Sequence, residues 1–141
     1  MIQRIQSLFL FLIDIVLVVL LFVPYVSATA VIETPEPPQY YTLLDNPGLL
    51  VGQIVLCILA AFTMVMFRNR KLQMKLCLVG TVLSLLFTFL LAYNTLFPLI
   101  GVSWKIEPGT WISFANAALF LLARNFIMRD ENMVKSADRL R

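Results

Sequence analysis

Two side chains carry charge inside the apolar stretches of this sequence, and chemistry is sought there first. Asp14 is the one carboxylate within such a stretch, and Arg124 lies about one turn inside the end of another. A charged group near the centre of a bilayer costs roughly 2.5–3.5 kcal/mol on insertion scales, so Asp14 is expected to face protein or water. Three states answer that cost: an ion pair, a protonated and hydrogen-bonded acid, or a station on a proton path. A proton path needs a chain of polar groups, and the later stretches offer Gln53, Asn116 and scattered hydroxyls. Arg124 can snorkel to the headgroups, or it can meet Asp14. At about 1.5 Å per residue, the two lie roughly 9 Å and 6 Å deep from the same side. In an up-down bundle the first and fourth helices are neighbours. Asp14 and Arg124 are therefore the candidate intramembrane pair.

Other chemistry is scarce. The chain has no histidine, which removes histidine-ligated haem, the usual histidine-containing zinc sites, Ser-His-Asp triads and histidine proton shuttles. Cys57 and Cys77 lie in apolar runs and are expected to be small buried hydrophobes, with neither a disulfide nor a metal site implied. No cofactor is expected. The remaining acids, Glu33, Glu36, Asp45, Glu107 and those of the tail, form no convergent pair in sequence. An enzyme acting on lipid ranks third among the functional readings.

The elements that must position these residues are four apolar runs, Leu8 to Val26, Leu49 to Phe67, Leu76 to Tyr93 and Trp111 to Met128, each of 18 or 19 residues. A hydrocarbon core of about 30 Å needs roughly 20 residues of helix, and lipid leaves no partner for open backbone groups. With 141 residues, 60% apolar and 13% charged, a soluble domain would have too much apolar surface for its volume. The expected fold is all-α: one domain, a four-transmembrane-helix up-down bundle. Its helices fall at about 5–26, 48–67, 74–93 and 110–128, with outer loops at 27–47 and 94–109 and a cytoplasmic tail at 129–141. Asn46-Pro47 has the form of an N-cap followed by proline at the first helical position. Pro108-Gly109-Thr110 marks the start of the fourth helix in the same way. Trp104 and Trp111 are expected at the outer interface.

Charge sets the orientation. Arg4, Arg68, Arg70, Lys71, Lys75, Arg124, Arg129, Lys135, Arg139 and Arg141 fall on one side, and Lys105 alone of the 11 basic residues on the other. The positive-inside rule then places both termini in the cytoplasm, as in a multi-pass protein of the bacterial inner membrane. The net charge of +3 needs no nucleic acid to explain it. A cleaved signal peptide ending near Ala28-Thr29-Ala30 is the competing account of the first run. The run is longer than a usual signal core and contains Asp14, which favours its retention.

Small residues suggest where helices meet. Gly80, Ser84, Thr88 and Ala92 recur every four residues, and Gly48 and Gly52 form a GxxxG. Such stripes let membrane helices approach closely, either within this bundle or against another membrane subunit. In the tail, Met133, Val134, Ala137 and Leu140 share one helical face. That segment is expected to continue as a short helix, to lie on anionic headgroups, or to hold a partner. The basic residues Arg68, Arg70, Lys71, Lys75, Arg129, Lys135, Arg139 and Arg141 form the candidate surface for lipid or partner.

The opening MIQRIQS, the link NRKLQMKLC and the ending RDENMVKSADRLR resemble an uncharacterised family of small four-helix inner-membrane proteins of Bacteroidota. The similarity runs the length of the chain. Members often read Asn-Arg in the last turn of the fourth helix, where this chain has Arg124-Asn125. The resemblance implies a membrane protein with its charged signatures on the cytoplasmic face and brings no activity with it. The leading expectation is a non-enzymatic accessory or scaffold subunit of a membrane assembly, and the alternative is a small transporter or proton-linked channel using Asp14.

Overall fold

The computed structural model describes residues 3–30, 37–66, 69–97 and 102–139. Four helices dominate it: α1 (Gln3–Val19), α2 (Pro47–Val65), α3 (Arg70–Leu96) and α4 (Pro108–Arg139). Buried positions recur every three or four residues along each. Leu10, Ile13 and Leu17 in α1 face Leu56 and Ala60 of α2, Cys77, Phe87 and Leu91 of α3, and Phe120, Ala123 and Ile127 of α4 across a single core. Each helix touches its neighbour in sequence, and α1 also touches α4.

Specific contacts give the directions. From Thr88–Ser113 through Gly80–Phe120 to Arg70–Asp130, α3 is read backwards as α4 is read forwards, so the two are antiparallel. The stack of Phe9 on Phe126 and the contact of Gly109 with Pro24 show the same for the segments of α1 and α4.

Three helices, at Pro47–Val65, Arg70–Tyr93 and Pro108–Val134, are long and apolar enough to cross a membrane. Only 22% of the first window and 33% of each of the others is buried inside the protein. Most of that apolar surface therefore needs a cover other than this chain, and lipid supplies one. The first run departs from expectation. α1 ends at Val19, and its apolar helical part, Leu8–Val19, is shorter than a full span. The chain tightens there, with the Leu21 and Phe22 amides donating to the Val18 and Val19 carbonyls, before Pro24, which has no amide to continue a helix.

A second departure is that the fold is not all-α. β1 (Val26–Ala30), β2 (Gln39–Tyr41) and β3 (Val102–Ile106) form an antiparallel sheet in the order β2-β1-β3. Segments expected as outer loops are thus hydrogen-bonded to each other. The physical reason is local. Val102, Trp104 and Tyr41 are residue types that fit a pleated surface, and Tyr25, Val26 and Leu43 carry one side of the layer into the core. Trp104, expected at the interface, is half-buried beside Tyr41 with ring centroids 5.8 Å apart, while Trp111 is exposed. The expected caps form: the Asn46 side chain accepts from the Gly48 and Leu49 amides, with Pro47 at the first helical position. The tail takes the first of the states expected for it and continues α4 without a break to Arg139.

The small-residue stripe packs mainly against α4. A methyl group at Gly80 would come within 2.7 Å of the Phe120 ring, and Ser84 is buried. The Thr88 hydroxyl donates to the Ser84 carbonyl at 2.8 Å and lies 3.0 Å from the Ser113 hydroxyl, which can donate in return. Ala92 is half-buried. A methyl group at Gly52 would come within 3.0 Å of the Phe87 ring, whereas Gly48 is exposed and a methyl there would meet its own cap, Asn46. Ser84→Leu is therefore expected to destabilise the protein by roughly 1–3 kcal/mol through overpacking. Val82→Leu, at a position 59% exposed, is expected to change the detergent melting temperature little. Equal melting points for the two variants would show that the stripe is not a packed face.

Candidate functional site

The charged signatures of the sequence meet at one end of the α3–α4 pair. Asn69 caps α3, its side chain accepting from the Leu72 amide at 3.2 Å. One residue on, the Arg70 guanidinium lies 3.0 Å from Asp130 Oδ2, a pairing of charge that lacks the alignment of a hydrogen bond. The Asp130 side chain is only 6% exposed and that of Arg70 25%. Gln73 is buried one turn further in, with its Oε1 unpartnered.

The outer flank of the same helices forms a groove of ≈ 460 Å³. From α3 come Lys71, Met74, Lys75 and Leu78, and from α4 Arg124, Met128, Glu131 and Asn132. Each set is spaced for one helical face. Lys71 and Lys75 are exposed and Arg124 half-buried. The antiparallel register sets Arg124 opposite Cys77, so it is the most deeply placed of the three cations. Asp130, one residue before Glu131, points the other way, towards Arg70.

This arrangement separates Arg124 from Asp14. Among the described residues the ion pair is Arg70–Asp130, and the expected Asp14–Arg124 pair is not formed. Asp14 is half-buried on the side of α1 near Cys57 of α2, and the field of Arg124 reaches Cys77 of α3 instead. The depth estimate placed the residues on similar levels but could not give their directions around the helix axes. The contacts of Phe9 with Phe126 and of Pro24 with Gly109 put Arg124 about one turn of α1 away from Asp14.

A buried polar link joins α1 and α2. Gln53 Nε2 donates to the Leu17 carbonyl at 2.6 Å. That carbonyl is open because Leu21 turns its amide to Val18, so the side chain satisfies the frayed end of α1 where the surroundings are apolar. Gln53→Leu is expected to lower stability by about 1–3 kcal/mol, the cost of leaving a buried acceptor unmade. A melting temperature in detergent unchanged from the wild type would refute that role for the link.

Of the expected surface residues, Arg70 is committed to Asp130, Lys71 and Lys75 line the groove, and Arg129 is exposed. Arg68 and Arg141 lie outside the described residues, as do the side chains of Lys135 and Arg139. Sequence reading did not find Asp130 as the partner of Arg70. The available signal was order: in an antiparallel helix pair, residues near the start of the first helix share a level with residues towards the end of the second.

A family model described as a domain of unknown function, DUF4293, matches residues 2–140. The chain belongs to this family. No curated protein matches it. For this DUF4293 member the three charged signatures read from the sequence thus coincide in part with a built site. The NRKLQ link and the start of RDEN form the Arg70–Asp130 clamp and the adjoining cationic groove.

Proposed function

We propose that this DUF4293 protein is a non-enzymatic accessory or scaffold subunit of an inner-membrane assembly. Its four helices would cross the membrane as an up-down bundle with both ends in the cytoplasm. α1 would complete its crossing through the segment leading to the sheet. The observation that carries the reading is the α3–α4 end. There a nearly buried ion pair braces two helices, and α4 presents Met133 and Val134, both exposed, at the end of its apolar stretch before running on to Arg139. A braced helix with an exposed apolar edge at the end of its span suits a partner helix better than it suits solvent.

Topology is the first test. Reporter fusions at Pro38, Asn69, Ile106 and Arg141 are expected to report outside, inside, outside and inside. Pro38 and Asn69 reporting the same side would overturn the four-span arrangement. The second test is purification in mild detergent with mass spectrometry. A stoichiometric partner is expected with the wild type and is expected to be lost with Met133→Ser/Val134→Ser, while the variant stays in the membrane fraction. Absence of any stoichiometric partner would remove the scaffold reading.

Transport is the alternative, and it is favoured by Asp14, a half-buried carboxylate in an apolar helix outside any ion pair among the described residues. It requires that Asp14→Asn abolish ion flux in reconstituted vesicles.

A further inference from the structure

We infer that the groove between α3 and α4 is a binding site for the phosphate headgroup of an anionic phospholipid of the cytoplasmic leaflet. The inference rests on the proposed orientation and gives the charged end a ligand.

Three cations converge on the groove from two helices: Lys71 and Lys75, one turn apart on α3, and Arg124 on α4. Glu131 also lines it and has an interaction of its own, so the lining carries a net charge of about +2 by the usual ionisation states. The adjacent Arg70 and Asp130 neutralise each other and leave the groove cations to an external anion. Arg124 supplies the planar fork that grips phosphate oxygens in pairs, and the two lysines supply point charges.

Depth separates a lipid from a soluble anion. Arg124 lies within the apolar window of α4, and Lys75 and Lys71 follow outward along α3. The floor is apolar: Met74, Met128 and Leu78, of which Leu78 is 46% exposed. A phosphodiester held at the cations would run its acyl chain down over Leu78 and onto the uncovered flank of α3. A free phosphate would have no use for that floor.

The test uses the full-length protein in nanodiscs of phosphatidylcholine containing a minor fraction of phosphatidylglycerol. Lipid co-purifying after transfer to mild detergent is counted by native mass spectrometry. Wild-type protein is expected to retain phosphatidylglycerol selectively. Each charge-assisted contact to a phosphate contributes roughly a tenfold factor, so Lys71→Gln/Lys75→Gln/Arg124→Gln is expected to reduce that selectivity by about 100-fold or more. The control Arg129→Gln/Lys135→Gln/Arg139→Gln removes the same charge from the same end and is expected to change it less than about threefold. Equal losses in the two triple variants would mean diffuse attraction and overturn the site. Equal retention of both lipids by the wild type would do the same. Displacement of the lipid by millimolar inorganic phosphate would assign the groove to a soluble phosphate and overturn the lipid assignment. Both leaflets of the disc carry the same lipid, so the result is independent of orientation. Failure of the fusion experiment therefore remains distinguishable from failure of this one.

Discussion

Arg70→Ala is expected to destabilise the protein by about 3 kcal/mol, and Asp130→Ala by clearly less. Breaking a buried ion pair by removing one partner typically costs 3–5 kcal/mol, because the survivor keeps its desolvation penalty. Here the survivors are unequal. The Asp130 side chain is 6% exposed and hemmed in by the helix pair, while Arg70, 25% exposed at the first position of α3, can swing to water. The variant that strands the carboxylate should therefore suffer more. The double variant Arg70→Ala/Asp130→Ala is expected to be more stable than the sum of the single effects predicts. Thermal melting of the four proteins in one detergent provides the cycle. Strict additivity would show that the pair is a surface contact worth under about 1 kcal/mol, and a greater loss from Asp130→Ala would overturn the assignment of Asp130 as the costlier survivor.

Gly109→Ala is expected to do damage of comparable size at the opposite end. A methyl group on Gly109 would stand 2.7 Å from the Pro24 carbonyl oxygen and 3.0 Å from the Tyr25 Cα. Both are backbone atoms and cannot rotate aside as the Phe120 ring beside Gly80 can. The same junction holds four hydrogen bonds: Gly109 amide to Pro24 carbonyl, Glu107 amide and Thr110 hydroxyl to Tyr25 carbonyl, and Ser27 hydroxyl to Glu107 carboxylate. Separating the strands to admit the methyl would strain all of them. Overpacking alone costs about 1–3 kcal/mol, and each net hydrogen bond lost adds about 1 kcal/mol. A loss of about 3–4 kcal/mol in detergent unfolding is expected, and Gly80→Ala should cost less. If Gly109→Ala melts with the wild type, α4 is not locked to β1 through this contact.

These two sites mark different degrees of legibility. Hydrophobic periodicity and the proline and asparagine punctuation were enough to locate α2, α3 and α4, because those signals are local: a run of apolar residues, a cap and a stop. The same logic placed Asn46-Pro47 and Pro108 correctly at helix starts. It carried the first helix too far, since Leu20 to Phe22 are apolar whether they continue a helix or turn into a sheet. Pro24 and the pairing of Tyr25 with Tyr41 decided for the turn. The sheet itself was out of reach. β1 and β3 are separated by more than half the chain, and their strand character appears only once the helices bring both connections to one end.

Charge showed the same division. Composition and the asymmetry of basic residues determined that the chain suits a membrane and which of its ends is rich in cations, because both depend on totals along the sequence. Which carboxylate meets which guanidinium was left open, because two residues at one depth can point to opposite sides of their helices. Asp14 and Arg124 matched in depth by counting along the sequence, yet they stand about one turn of α1 apart and face different neighbours. Arg70 and Asp130, near the start of α3 and towards the end of α4, share both a level and a direction. Direction around a helix axis is set by which face finds a core. That depends on the packing of all four helices together, and tertiary structure alone decides it.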